Sequence, residues 1–195
     1  ETSGILLFAR NQVAAARLQK QREEGKLQKK YLALAEGDLS EANDSVFWKE
    51  IAIPLAPDPE NPMKMTISPD GLLPGSRNAV TYYKNIKSFG NVTLVELQLE
   101  TGRTHQIRVH MSGIGHPLLG DTMYNPGTCL NMSNSKEKKN TEGRINNRND
   151  CFKRAALHAW KLTFCHPFTD EIITLEAPLP DDFCRFLNAN EEEKT

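Results

Sequence analysis

The chain has 195 residues, 38% of them hydrophobic, enough to bury one core and too few for two large lobes. Its 24 Lys and Arg balance 25 Asp and Glu for a net charge of −1, so no global positive field marks a nucleic-acid binder and any such binding must use a local patch. Cys129, Cys151, Cys165 and Cys184 form no CxxC pair, and no signal-like or membrane-spanning run occurs, so reduced, intracellular thiols are expected.

Residues 4–9 (GILLFA) form a short apolar run that predicts a buried strand at the very start. Asn11 then caps a helix carrying Val13, Ala14 and Leu18, closed by Gly25. Residues 26–37 (KLQKKYLALAEG) read as a strand, with Tyr31, Ala33 and Ala35 on one face and Leu32 and Leu34 on the other. Small neighbours leave room for a ligand beside the Tyr31 ring; the alternative is a tyrosine packed in the sheet with its hydroxyl on a carbonyl. From 38 to 75 the text is rich in Pro, Asp and Asn, which predicts short strands and turns. Residues 79–86 and 92–99 make an antiparallel pair joined by KSFGN.

Thr101 and Gly102 stop the second strand of that pair, and Thr104 is the predicted N-cap of a helix over 104–113, with Gly115 near its C-terminal cap. Ile107, Met111 and Ile114 form the apolar stripe, which sets Arg108 beside the core. Arg103, Arg108, His105, Gln106 and the free amides of a helix N-terminus suit phosphate or carboxylate. A solvated amphipathic helix with ordinary salt bridges would carry the same residues. The stretch 125–154 is polar and basic and reads as a mobile insertion, whose cations either touch a nucleic-acid backbone or stay hydrated. Alternation returns at 155–164, a strand follows at 172–175, a last helix spans 181–190, and 191–195 is a frayed tail. The pattern is α+β with a mostly antiparallel sheet, one domain over 1–190. A zinc site on Cys165 and His166 lacks the usual ligand spacing, so no metal is expected.

Four blocks in order, ETSGILLFAR (1–10), KKYLALAEG (29–37), LETGRTHQIRVHMSGIGHPLLGD (99–121) and LHAWKLTFCHPFTDEIITLEAPLPDDF (157–183), resemble successive blocks of the RluA-type RNA pseudouridine synthases. The resemblance implies the catalytic core of that family, a mixed and largely antiparallel sheet with flanking helices. It implies an isomerase that converts specific uridines of rRNA or tRNA to the C5-glycoside, with RNA as partner, no cofactor, no metal and no membrane. A monomer in the cytoplasm, or in an organelle of a eukaryote, is the corresponding expectation.

Residue by residue, Tyr31 matches the base-packing tyrosine of the KxYLA block, and Arg108 matches the arginine of the HQIRVH block that pairs with the family's catalytic aspartate. An extruded base needs a stacking platform, and a buried carboxylate needs a cation. The family aspartate sits in an RLDxxTSG block, which places it two residues before Glu1, so the chain as given is expected to be inactive alone. Asp121 reads as a turn carboxylate instead of a substitute nucleophile. Arg103 suits an RNA phosphate or an exposed salt bridge, and His105 and Gln106 suit a phosphate, the orientation of Arg108, or structural hydrogen bonds. Leu118 and Leu119 either wall the uracil pocket or pack the core. Lys20, Arg22, Lys26, Lys29 and Lys30 lead into Tyr31 and either guide an RNA backbone or form a solvent face. A non-catalytic RNA-binding protein that keeps the fold is the rival reading, and an enzyme acting on a phosphorylated metabolite is a third.

Overall fold

In the computed structural model the described residues are 2–39, 47–126 and 152–191. They form β1 (Ser3–Gly4), α1 (Gln12–Glu23), β2 (Gln28–Glu36), β3 (Lys49–Ala52), β4 (Leu55–Pro57), β5 (Met65–Ile67), β6 (Val80–Ser88), β7 (Val92–Leu99), α2 (Gln106–Gly113), β8 (Leu157–Cys165), β9 (Ile172–Glu176) and α3 (Asp181–Glu191). Seven strands make one sheet in the order β1-β8-β2-β7-β6-β3, with β9 also on β8, and β4 and β5 pair separately. Only β1 runs parallel to its neighbour; the other pairings are antiparallel. The α+β class and the mixed, mostly antiparallel sheet are those expected from the sequence. Among the described residues no helix is long and apolar enough to cross a membrane.

Period-two alternation in the central strands gives the sheet two apolar faces. On one, Ala33, Ala35, Val95 and Leu97 pack against Ile107 and Met111 of α2 and against Leu118, with Tyr31 at the cluster's margin. On the other, Leu34, Val92 and Leu94 meet Phe183 and Phe186 of α3, together with Phe89 and Phe152. The Phe152 and Phe183 rings lie 5.4 Å apart edge to face, which adds directional packing to plain burial. The small residues after Tyr31 let α2 and its following loop lie close to the strand.

Asn11 caps α1 as the sequence predicts, its side chain accepting from the Ala14 amide at 2.8 Å. Two other expectations are corrected. The strand predicted over 4–9 shrinks to Ser3–Gly4, and Leu6 and Phe8 are 70% and 77% exposed. The reason is competition for an edge: β1 and β9 share the outer side of β8, with β1 at His158 and Ala159 and β9 from Lys161 onward. Gly4 makes the close crossing possible, because at φ +104 a Cβ would overlap the Ala159 carbonyl. The N-cap of α2 is not Thr104 but His105, at φ 55 and without a side-chain capping bond. The polar stretch 125–154 falls almost entirely outside the described residues, as do Cys129, Cys151 and the tail beyond 191.

Candidate active site

Tyr31 sits on β2 between β7 and β8, paired with Leu97 on one side and Ala159 on the other. The β8 register shifts between Lys30 and Tyr31, so Trp160 is an extra residue opposite this point. Such a bulge bends and twists the strand, and here it sits where the ring leaves the sheet. Burial pushes the Tyr31 hydroxyl up from its ordinary value, partly offset by Arg22, so the ring presents a neutral phenol at physiological pH.

Arg108 is not beside the core, as its helical position suggests, but inside it, at 5% exposure. Its Nε and Nη2 donate to the two carboxylate oxygens of Asp121 at 2.7 and 2.6 Å, and Asp121 is fully buried. The partner of Arg108 expected from the family resemblance lies before Glu1; among the described residues Asp121, 13 residues further on, pairs with it. Gly120, at φ +67, turns the chain back over α2, and a Cβ there would strike the Arg154 carbonyl. Asp121 also accepts from the amides of Met123 and Tyr124, each at 3.1 Å, so one carboxylate both closes the turn and holds the guanidinium. The Arg108 guanidinium carbon lies 5.0 Å from the centre of the Tyr124 ring.

Tyr124, which sequence reasoning missed, ties these parts together. Its hydroxyl accepts from the Met65 amide at 3.0 Å and lies 2.9 Å from His105 Nδ1. The hydroxyl thus links the Met65 backbone to the His105 ring and fixes the ring's orientation. The spacing Asp121-x-x-Tyr124 was legible only as a turn.

Gln106 lines one of the two clefts described below, and its side-chain amide is committed to the scaffold. Its Oε1 accepts from Thr101 Oγ1 and the Arg103 amide, both at 2.9 Å, and its Nε2 donates to the Val80 carbonyl and Thr81 Oγ1 at 2.9 and 3.0 Å. All four bonding positions of the amide are thereby used, and they pin the 101–103 loop to β6. Thr81 also bonds His110 Nδ1 at 2.8 Å, and His110 Nε2 reaches the Ile53 carbonyl at 2.9 Å. Burial lowers the His110 pKa. Leu118 and Leu119, each 1% exposed, pack into the two apolar clusters on opposite faces of the sheet and line neither cleft described below. They fill core because the chain crosses the sheet edge there, with Leu119 bonded to the backbone of Leu34 at 2.9 Å.

Two clefts meet at Tyr31. One, about 460 Å3, is lined by Thr2, Tyr31, Arg103, His105, Arg108 and Leu157 among others. The second, about 590 Å3, runs from Tyr31 along Lys29, Arg22, Gly102 and Arg103. Tyr31, Leu99 and Arg103 line both. The half-buried Arg103 is held by an Nε bond to the Asn78 carbonyl at 3.0 Å. Among the described residues no group of three or more His, Cys, Asp or Glu could hold a metal ion. The arrangement offers an aromatic face, cations and an imidazole around one opening, which suits a planar base carrying an anionic backbone.

The RNA pseudouridylate synthase family matches residues 1–113. An uncharacterized RNA pseudouridine synthase of Bacillus subtilis, YhcT, is 39% identical over 184 residues, covering 93% of this chain and 51% of that protein. The ribosomal large subunit pseudouridine synthase D of Haemophilus influenzae is 35% identical, covering 97% and 53% respectively. The chain thus spans about half the length of the curated relatives it matches. Among solved structures, human RNA pseudouridylate synthase domain containing 4 is similar with a TM-score of 0.66 and 25% identity over 93% of this chain and 69% of that one. The chain belongs to the RluA-type branch of the RNA pseudouridylate synthase family.

Proposed function

We propose that this chain is the catalytic core of an RNA pseudouridine synthase acting on uridines in rRNA or tRNA. The observation that carries the reading is the convergence of Tyr31, Arg108, Arg103 and His105 on one cleft, from two motif blocks far apart in sequence. In this reading a uridine flips out of the RNA and lays its base on Tyr31. The bond from C1′ to N1 breaks, the base turns on the aromatic face, and a bond forms from C1′ to C5. N1 gains a proton and C5 loses one, so no external reactant or cofactor is consumed.

The carboxylate that assists this exchange is, in this proposal, the aspartate two residues before Glu1. Thr2 lines the same cleft as Tyr31 and Arg108, which supports delivery of that carboxylate to the opening. Arg108, braced by Asp121, then supplies positive potential below the site, while His105 lines the same cleft beside a uracil carbonyl or a phosphate. Large-subunit rRNA is the first substrate to test, since relatives such as that of Haemophilus influenzae carry it in their names. Work as a monomer in the cytoplasm, or in an organelle of a eukaryote, belongs to the same proposal.

The test is incubation of the protein, with and without the residues preceding Glu1, with rRNA and tRNA transcripts, followed by carbodiimide-stop mapping. Product from the longer protein, its loss in Tyr31→Leu, and none from residues 1–195 alone are expected. Robust product from 1–195 would refute the upstream aspartate. RNA binding without product from the longer protein would favour the non-catalytic binder.

A further inference from the structure

Five cations lie in the eleven residues before Tyr31, and the structure sorts them into two groups. Lys20 and Lys26 pair with Glu24 at 3.7 and 2.7 Å, and Lys30 pairs with Glu96 at 3.0 Å. Arg22 and Lys29 instead line the larger cleft, the one continuous with Tyr31. Arg22 Nη2 donates to the Gly102 carbonyl at 2.9 Å, which hangs its guanidinium across the mouth of that cleft. A Cβ on Gly102 would come within 2.6 Å of the same nitrogen, so the glycine leaves the space the guanidinium uses.

Lys29 stands two residues before Tyr31 on the same face of β2, a step of about 6.5 to 7 Å along the strand. It is half-buried, and among the described residues no carboxylate pairs with it. Burial, and then the charge of Arg22, hold its ammonium below the ordinary lysine pKa. Two neighbouring cations in a concave, partly dry site are costly without an anion, and the cost is recovered when one binds. Arg103 extends the same cationic edge toward the opening beside Tyr31.

We propose that Lys29 and Arg22 form a phosphate subsite, which holds the backbone phosphate next to the uridine whose base stacks on Tyr31. The subsite rests on the reading of RNA as the ligand. A lysine point charge and an arginine fork contact phosphate oxygens without reading sequence, so the subsite sets the register of the strand and leaves choice of base to the Tyr31 opening.

The test measures affinity against salt for an RNA stem-loop with a single uridine in its loop, using the unaltered protein and the Lys29→Gln, Arg22→Gln and Lys20→Gln variants. Loss of one phosphate contact is expected to make the slope of log K on log salt shallower by about 0.7 for Lys29→Gln and for Arg22→Gln, and Lys20→Gln is expected to match the unaltered protein. A methylphosphonate at one of the two linkages flanking the uridine should erase the difference between Lys29→Gln and the unaltered protein. Lys29→Gln removes an unpaired, half-buried charge, so its melting temperature should not fall, which separates lost contact from misfolding. RNA binding with an unchanged slope in Lys29→Gln overturns the subsite and leaves the RNA reading standing. Failure of the unaltered protein to bind RNA overturns both.

Discussion

Asp121→Ala is the sharpest probe of how the site is built. The carboxylate is fully buried and makes four hydrogen bonds, two from Arg108 and one each from the amides of Met123 and Tyr124. Its removal takes from a guanidinium that is itself 5% exposed the two charge-assisted bonds it makes to Asp121. Breaking a buried pair from one side costs about 3 to 5 kcal/mol. For a domain of this size each kcal/mol is worth about 2 to 4 °C, so the melting temperature should fall by about 6 to 20 °C. Urea unfolding followed by circular dichroism, alongside thermal melts, measures both numbers. Asp121→Asn, which keeps the shape and the two amide bonds, should lie between the two. The double variant Arg108→Met with Asp121→Asn should recover part of the loss, because it removes the buried guanidinium while an amide oxygen still accepts from Met123 and Tyr124. Asp121→Ala within 1 kcal/mol of the unaltered protein, or a double variant as unstable as the sum of the single ones, would refute the reasoning.

Tyr124→Phe removes the hydroxyl that accepts from Met65 and faces His105. It should cost about 1 to 3 kcal/mol for the orphaned amide, and nitrogen NMR should show the His105 Nδ1 resonance shift as its partner is lost; an unchanged His105 spectrum would contradict the contact. Gly120→Ala places a Cβ against the Arg154 carbonyl at positive φ, so it should destabilise by more than 1 kcal/mol and weaken the pairing at Asp121. The pH dependence has a defined sign. Burial lowers the pKa of His110 and His158 in the folded protein, so the unfolded chain binds the extra protons. Stability should therefore be full above the unfolded value of about 6.5 and decline as pH falls below it, by at most about 1.4 kcal/mol per pH unit for each histidine. Urea midpoints at pH 7.5 and 5.5 check this, and His110→Gln should flatten the slope.

Much of the architecture could be read from local patterns. Alternation in 26–37 placed Ala33 and Leu34 on the opposite faces they occupy, the apolar density of 92–99 marked a buried strand, and Asn11 announced α1 through its cap. The blocks around Tyr31 and Arg108 pointed to the family and to the two side chains that share a cleft. Each of these rests on neighbours within a few residues, where strand and helix periods and capping chemistry are decided by short-range sterics.

What escaped local reading depended on partners distant in sequence. The strand predicted over 4–9 lost its place because β9, more than 160 residues later, occupies the same edge of β8. His105 displaced Thr104 as the cap of α2 because Gln106 spends its amide on Thr101, Arg103, Val80 and Thr81, and Tyr124 fixes the imidazole. Arg108 found Asp121, and Leu118 and Leu119 became core, only once the turn at Gly120 had brought that loop over the sheet. Composition and periodicity thus settle which segments are strands and helices and which residue types are gathered near the site. Whether a given cation is neutralised, as Lys30 is by Glu96, or left facing a cleft, as Lys29 is, depends on which carboxylate the folded chain brings within a few ångströms, since buried charge is stabilised by contact and not by sequence neighbourhood.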